Sequence, residues 1–341
     1  MVYSASAIWA DYKFGDSFYF AKRQLLFAIT GIIAMFVIMN IPYLTWRTYA
    51  KPILFICFVL LIAVLIPGVG MVRGGARSWI GVGAFSIQPA EFMKLGLIIF
   101  LSSYLSSNQK YITSFKQGFF PALLLVFVAF GLIMLQPDLG TGAVLVLTCL
   151  VMIFVAGAKI SHFLWLGVLG VIGFLGLIIS APYRMDRITA FLNPWEDPMD
   201  TGFQIIQSLY AIGPGGLMGM GLGQSLQKFF YLPEPHNDFI FAIIAEELGF
   251  IGGTFVLLLF LVLLWRGIRV SLAAPDTFGS LLGLGIIGMF TLQVMINISV
   301  VIGLIPVTGI TLPFLSYGGS SLTLTLCSIG ILLNLSRYAK L

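Results

Sequence analysis

Charge is the scarcest commodity in this sequence: Lys, Arg, Asp and Glu make up 9% of its 341 residues, while 59% are hydrophobic. Soluble domains carry about 25% charged residues, so no water-exposed surface can be assembled from this inventory. Cysteine is nearly absent. The three present, Cys57, Cys149 and Cys327, all lie in apolar runs, which excludes a disulfide framework and reads as core. Histidine is scarcer still. His162 and His236 fall in different regions, so no histidine metal site and no Ser-His-Asp arrangement can be read. The net charge of +5 is too small to be a nucleic-acid footprint.

What is abundant is apolar length. Runs able to cross a ~30 Å hydrocarbon core recur along the whole chain, and such runs must be helices, because each backbone polar group needs an internal partner. The expected fold is therefore an all-α, polytopic membrane bundle of about ten spans in a single domain, 1–341. A partial span, 1–10, reads as the last turns of a helix whose beginning is absent. Full spans are predicted at 24–43, 52–69, 89–106, 119–136, 140–157, 161–181, 239–265, 279–304 and 315–336. Orientation follows from the basic residues of the short connections. Arg47, Lys51, Lys110, Lys116, Lys159, Arg266, Arg269, Arg337 and Lys340 share one side with a single acid, Asp276. That side is assigned to the cytoplasm. The loop 70–88, the turn at Asp138, the loop 305–316 and the long connection 182–238 then face outward.

The connection 182–238 is the one long loop, and loops of that length are usually functional or disordered. Phe203, Ile205, Ile206, Leu209 and Tyr210 are spaced for an interfacial helix. The glycine run from Gly213 to Gly223 lacks the Lys-Ser/Thr ending of a nucleotide-binding loop and fits close packing or a hinge. Paired broken helices in matching halves, the mark of inverted-repeat transporters, are not seen.

Charged residues at membrane depth cost at least ~2.5 kcal/mol each on insertion scales and are functional candidates by default. Glu91 and Lys94 stand three apart at a predicted helix start, close enough to pair. Pro89 as first residue and Glu91 on the helix dipole explain them equally well in purely structural terms. Arg73 and Arg77, on the outward side, break the charge asymmetry, and an anionic phosphate ligand would account for them. Trp79 is an interfacial aromatic or a sugar-stacking platform. Asp138 suits a helix cap. Arg184 and Arg187 are solvated loop charges or diphosphate contacts. Asp238 lies where the long loop meets a span. Partial desolvation there would raise its pKa towards that of a general base, but an N-cap role fits the same position. His236 could assist, although a surface-loop histidine is the plainer account. Glu246 and Glu247, two turns deeper, must face a polar cavity or pair internally. A divalent cation (Mg or Mn) bridging a carboxylate and a substrate diphosphate stays open, because such sites need few protein ligands.

Several motifs together give the chain a family likeness. They are Arg77-Ser78-Trp79-Ile80, Gln88-Pro89-Ala90-Glu91-Phe92-Met93-Lys94, Gln136-Pro137-Asp138-Leu139-Gly140-Thr141, Gly202-Phe203-Gln204 with Gln207-Ser208, residues 231–249, Pro306-Val307-Thr308-Gly309 and residues 312–321. Over essentially its whole length the chain resembles the SEDS (shape, elongation, division and sporulation) family of FtsW, RodA and SpoVE proteins. Residues 2–24 and 193–198 look closest to its sporulation branch, then to its division branch. The resemblance implies a ten-span fold, from which the partial first span departs. It also implies a peptidoglycan glycosyltransferase that polymerises lipid II at the outer face of the bacterial cytoplasmic membrane beside a class B penicillin-binding protein. By motif, the family's essential outer-loop aspartate becomes Asp238, its intramembrane ion pair Glu91 and Lys94, and its outer-loop motif Arg77 with Trp79. A lipid II flippase and a non-catalytic scaffold for a transpeptidase are the rival readings of the same charges.

Overall fold

The computed structural model describes residues 1–73, 76–82, 85–179, 185, 189, 191–199, 202–229 and 231–339. Each of the nine full runs read from the sequence coincides with a helix. In chain order the helices are α1 (Val2–Phe14), α2 (Tyr19–Met39), α3 (Tyr43–Thr48), α4 (Ala50–Ala63), α5 (Pro89–Ser107), α6 (Phe120–Met134), α7 (Leu139–Val155), α8 (Ile160–Ile179), α9 (Phe203–Ile212), α10 (Ile240–Leu272), α11 (Thr277–Val301) and α12 (Gly319–Ser336). Among the described residues, five stretches are long and apolar enough to cross a membrane: Tyr19–Met39, Phe115–Met134, Ile240–Leu272, Thr277–Val301 and Gly319–Ser336. Ala50–Leu65, Leu139–Val155 and Ile160–Gly173 are apolar but shorter. The protein is a polytopic helical membrane protein. Its cysteines are unpaired, with Cys57 and Cys149 buried.

Contacts divide the chain into two compact units. One comprises Met1–Leu26, Phe163–Val262 and Gln293–Gly318; the other comprises Phe27–His162, Leu263–Leu292 and Gly319–Leu341. In the first, Phe239, Ile240, Ala242 and Ile243 at the start of α10 pack with Val300, Val301 and Leu312, all at most 2% exposed. Helix α9 forms where its apolar spacing predicts it. It buries Ile205, Ile206 and Ala211, and Ser208 Oγ donates to the Val301 carbonyl at 2.7 Å.

The run 239–265, continuous in apolar character, is not one unbroken helix. Gly249 takes φ 66°, ψ −165° inside α10. A break of this kind strips neighbouring backbone groups of their intrahelical partners, which must be replaced in an apolar setting. The glycine run supplies the replacements. Met220 and Gly221 amides donate to the carbonyls of Glu246 and Glu247, both at 3.0 Å, and the Phe250 amide donates to the Gly216 carbonyl at 2.8 Å. A Cβ at position 249 would collide with the Gly219 amide nitrogen, and one at position 219 with the Glu247 carbonyl. The run 213–223 is therefore a strap packed onto the break, and its glycines permit the close approach.

In the second unit, residues 70–88 form more than a loop. They fold into a three-stranded antiparallel sheet in the order β1 (Gly70–Arg73), β2 (Ala76–Val82), β3 (Phe85–Ile87). Met71 pairs with Trp79 and Val72 with Arg77, with a register shift between them. Ser78 is 2% exposed and donates to the Gln136 carbonyl at 3.3 Å, which ties the sheet to the turn between α6 and α7.

Candidate active site

The candidate residues fall into two groups, one in each unit. In the second unit Pro89 opens α5 at its first turn, where its missing N–H costs nothing. One turn on, Lys94 Nζ lies 2.7 Å from Glu91 Oε1, with side chains 3% and 11% exposed. Asp138 caps α7 by accepting from the Thr141 amide at 3.0 Å. Its second oxygen accepts from Gln88 Nε2 at 2.8 Å. Burial pushes the Asp138 carboxyl above the usual carboxylate range against the pull of the Thr141 bonds, while Glu91 raises it and Lys94 lowers it. Gln88, Glu91, Lys94 and Asp138 thus form one electrostatic neighbourhood.

Arg77 and Trp79 flank the irregularity in β2: they pair with the consecutive residues Val72 and Met71, so the simple alternation of a strand is broken between them, and Ser78, the residue between, is buried. The backbone of Arg73 pairs with Ala76, but the Arg73 side chain lies outside the described part. Arg184 and Arg187 also lie outside the described residues.

In the first unit Asp238 is half-buried in the last turn before α10. Its main-chain carbonyl accepts from Asn297 Nδ2 at 2.7 Å. The same nitrogen donates to the Ile310 carbonyl at 2.7 Å. Two residues back, the His236 carbonyl accepts from the Tyr317 amide at 2.8 Å. Gln24 in turn holds this second loop, donating to the Ser316 carbonyl at 3.1 Å and accepting from the Gly318 amide at 3.3 Å.

His236 is not a surface-loop histidine. It is 4% exposed, with its ring 4.4 Å from Phe20 and 5.6 Å from Tyr317. Aromatic packing excludes water, and burial pushes the imidazole down from 6.5 to about 4, so it is neutral at pH 7. Between those two values the unfolded chain binds a proton that the folded chain does not. Stability therefore falls as pH drops through 6.5 and levels off below 4. The full effect is about 3 kcal/mol. The thermal midpoint of detergent-purified protein should accordingly fall more between pH 6.5 and 4 than that of His236→Phe, which keeps the aromatic packing. A gap between the two that did not change with pH would contradict a buried neutral imidazole.

Glu246 and Glu247, 1% and 0% exposed, pair internally. Glu246 accepts from Ser225 Oγ and, at 2.8 Å, from the Leu226 amide. Glu247 accepts from Ser4 Oγ and lies 3.4 Å from Lys228 Nζ. Lys228 also donates to the Gly223 carbonyl, which locks the end of the glycine strap over the carboxylates. Sequence reasoning missed Lys228 and Asn297. The signals were a lysine five residues beyond the last glycine of the run, and an asparagine inside an apolar span.

The family model described as cell cycle protein, covering FtsW, RodA and SpoVE, matches residues 1–341. The chain is 72% identical to stage V sporulation protein E of Bacillus subtilis (strain 168) over 340 residues, covering 100% of this chain and 93% of that protein. It is 46% identical to a probable peptidoglycan glycosyltransferase FtsW of Geobacter sp. (strain M18), with the same two coverages, 100% and 93%. A chain from a solved peptidoglycan synthase complex, reported for its structural coordination of polymerization and crosslinking, superposes with TM-score 0.80. Its identity is 32%, with 98% of this chain and 94% of that one covered. The crystal structure of the rod shape determining protein RodA of Thermus thermophilus gives TM-score 0.72 at 29% identity, covering 99% and 94%.

Proposed function

This chain belongs to the FtsW, RodA and SpoVE family of cell cycle proteins, and from that premise we propose that it is a peptidoglycan glycosyltransferase with Asp238 as its general base. The observation that carries the assignment is the setting of Asp238, a half-buried carboxylate at the start of α10 whose main chain is clamped to the 305–318 loop. Proton transfer needs a base held in position.

The substrates are two molecules of lipid II. Asp238 accepts the proton of the acceptor's GlcNAc 4-hydroxyl. The oxygen forms a bond to the donor's MurNAc anomeric carbon as the bond to undecaprenyl diphosphate breaks, with inversion. The departing diphosphate carries the bonding electrons, and preorganised positive charge would stabilise it. Arg73, Arg77 and Lys94 are the candidates on charge, with Arg184 and Arg187 behind them. Lys94 is already engaged by Glu91 at 2.7 Å, which leaves Arg77 the stronger choice. Trp79, two residues along β2, is the candidate for sugar stacking. His236, buried and neutral, supports the loop rather than the substrate. Among the described residues no three His, Cys, Asp or Glu side chains converge as a metal site. An Mg or Mn ion would have to be held largely by the substrate's own diphosphate, and no step is routed through it.

The nine basic residues against one acid in one set of connections support placing the other set, Asp238 included, outside the cytoplasm. A class B penicillin-binding protein is the partner we propose, in keeping with the synthase complex that holds a structural relative. Purified protein should convert lipid II to glycan strands, with the cognate transpeptidase present to allow for dependence on it. Transbilayer movement of lipid II without polymer would identify a flippase, and neither activity a scaffold.

A further inference from the structure

Asn297 is a tightly constrained polar side chain beside Asp238. It is 1% exposed and sits in the last two turns of α11. Both hydrogens of its amide are used, one on the Asp238 carbonyl and one on the Ile310 carbonyl, each at 2.7 Å. Two carbonyl acceptors fix which end of the amide faces them, since the reverse orientation would set oxygen against oxygen. The cost is visible: Asn297 Oδ1 is buried without a partner, an arrangement worth about 1–3 kcal/mol against folding. A helix whose only task was packing would be better served here by an apolar residue, provided the two loops did not need holding.

We propose that Asn297 is a positioning residue for the reaction, setting the Asp238 carboxylate by stapling its main chain to the 305–318 loop. The assignment rests on Asp238 being the base. The second staple, from the Tyr317 amide to the His236 carbonyl at 2.8 Å, holds the chain two residues earlier, whereas Asn297 holds residue 238 itself. A base displaced by about 1 Å can lose on the order of 10² in rate, while substrate binding elsewhere is untouched.

The test compares Asn297→Leu, Asn297→Gln and Asp238→Asn, each with the partner present, on lipid II. In folded Asn297→Leu, kcat should fall about 10²-fold with KM changed less than about threefold, and the acid limb of the kcat/KM profile should shift as the carboxylate changes surroundings. Asn297→Gln, which keeps both donors, should recover part of the loss. In an Asp238→Asn background, Asn297→Leu should cost nothing further, because the two act as a unit. Should Asn297→Leu not fold, Asn297→Ser carries the same comparison with one donor retained. Wild-type polymerisation by Asp238→Asn would remove the general-base reading whatever Asn297 does. An inactive Asp238→Asn beside a folded position-297 variant with wild-type kcat and an unmoved pH profile would overturn the Asn297 assignment alone.

Discussion

Asp238→Asn is expected to lower lipid II polymerisation by about 10²–10⁴-fold, the range contributed by a positioned general base, with little change in thermal midpoint. The two halves of that expectation have separate origins. Asparagine has the size of aspartate but cannot take up a proton at working pH. The staple from Asn297 grips the main-chain carbonyl of residue 238, not its carboxylate, so the loop keeps its anchor. The neighbouring core of Phe239, Ile240, Ala242 and Ile243 is likewise untouched. Measuring glycan product and melting midpoint on one preparation separates lost chemistry from lost structure. Wild-type product from the variant would withdraw the base from Asp238.

The spans were legible because length and apolarity are strong, local signals. The Pro89 start of α5, the Asp138 cap and the amphipathic α9 were legible for the same reason, since each depends on a few adjacent residues. What escaped sequence reading is nonlocal. The strands of residues 70–87 are short and flanked by glycine, with no clean alternation to mark them. The break at Gly249 is hidden inside an apolar run, and only the strap from residues 216–221 makes it tolerable. His236 looked exposed because it stands among Pro235, Asn237 and Asp238; its burial comes from Phe20 and Tyr317, far away in sequence. Asn297 carries no charge, so a search for costly intramembrane charges passes over it. Lys228 was visible as a charge, but its partners Glu247 and Gly223 come together only through the fold of the strap.

The Glu91–Lys94 pair should give large stability effects when either member is neutralised, because both side chains are nearly buried. Lys94→Met leaves a carboxylate with a side chain 11% exposed without its partner at 2.7 Å, and Glu91→Gln leaves an ammonium 3% exposed. Removing one member of a buried pair costs about 3–5 kcal/mol, whereas replacing both by neutral groups of similar shape is often near neutral. Each single variant should therefore melt far below the wild type, and the double variant Glu91→Gln/Lys94→Met should recover most of the loss. Polymerisation separates the two accounts that the sequence left open. If the pair only neutralises a helix start, activity returns with stability in the double variant. The shared neighbourhood with Gln88 and Asp138 argues for a polar surface with work to do, so the expected result is a stable double variant that still fails to make glycan. Recovery of both properties together would reduce the pair to a packing element.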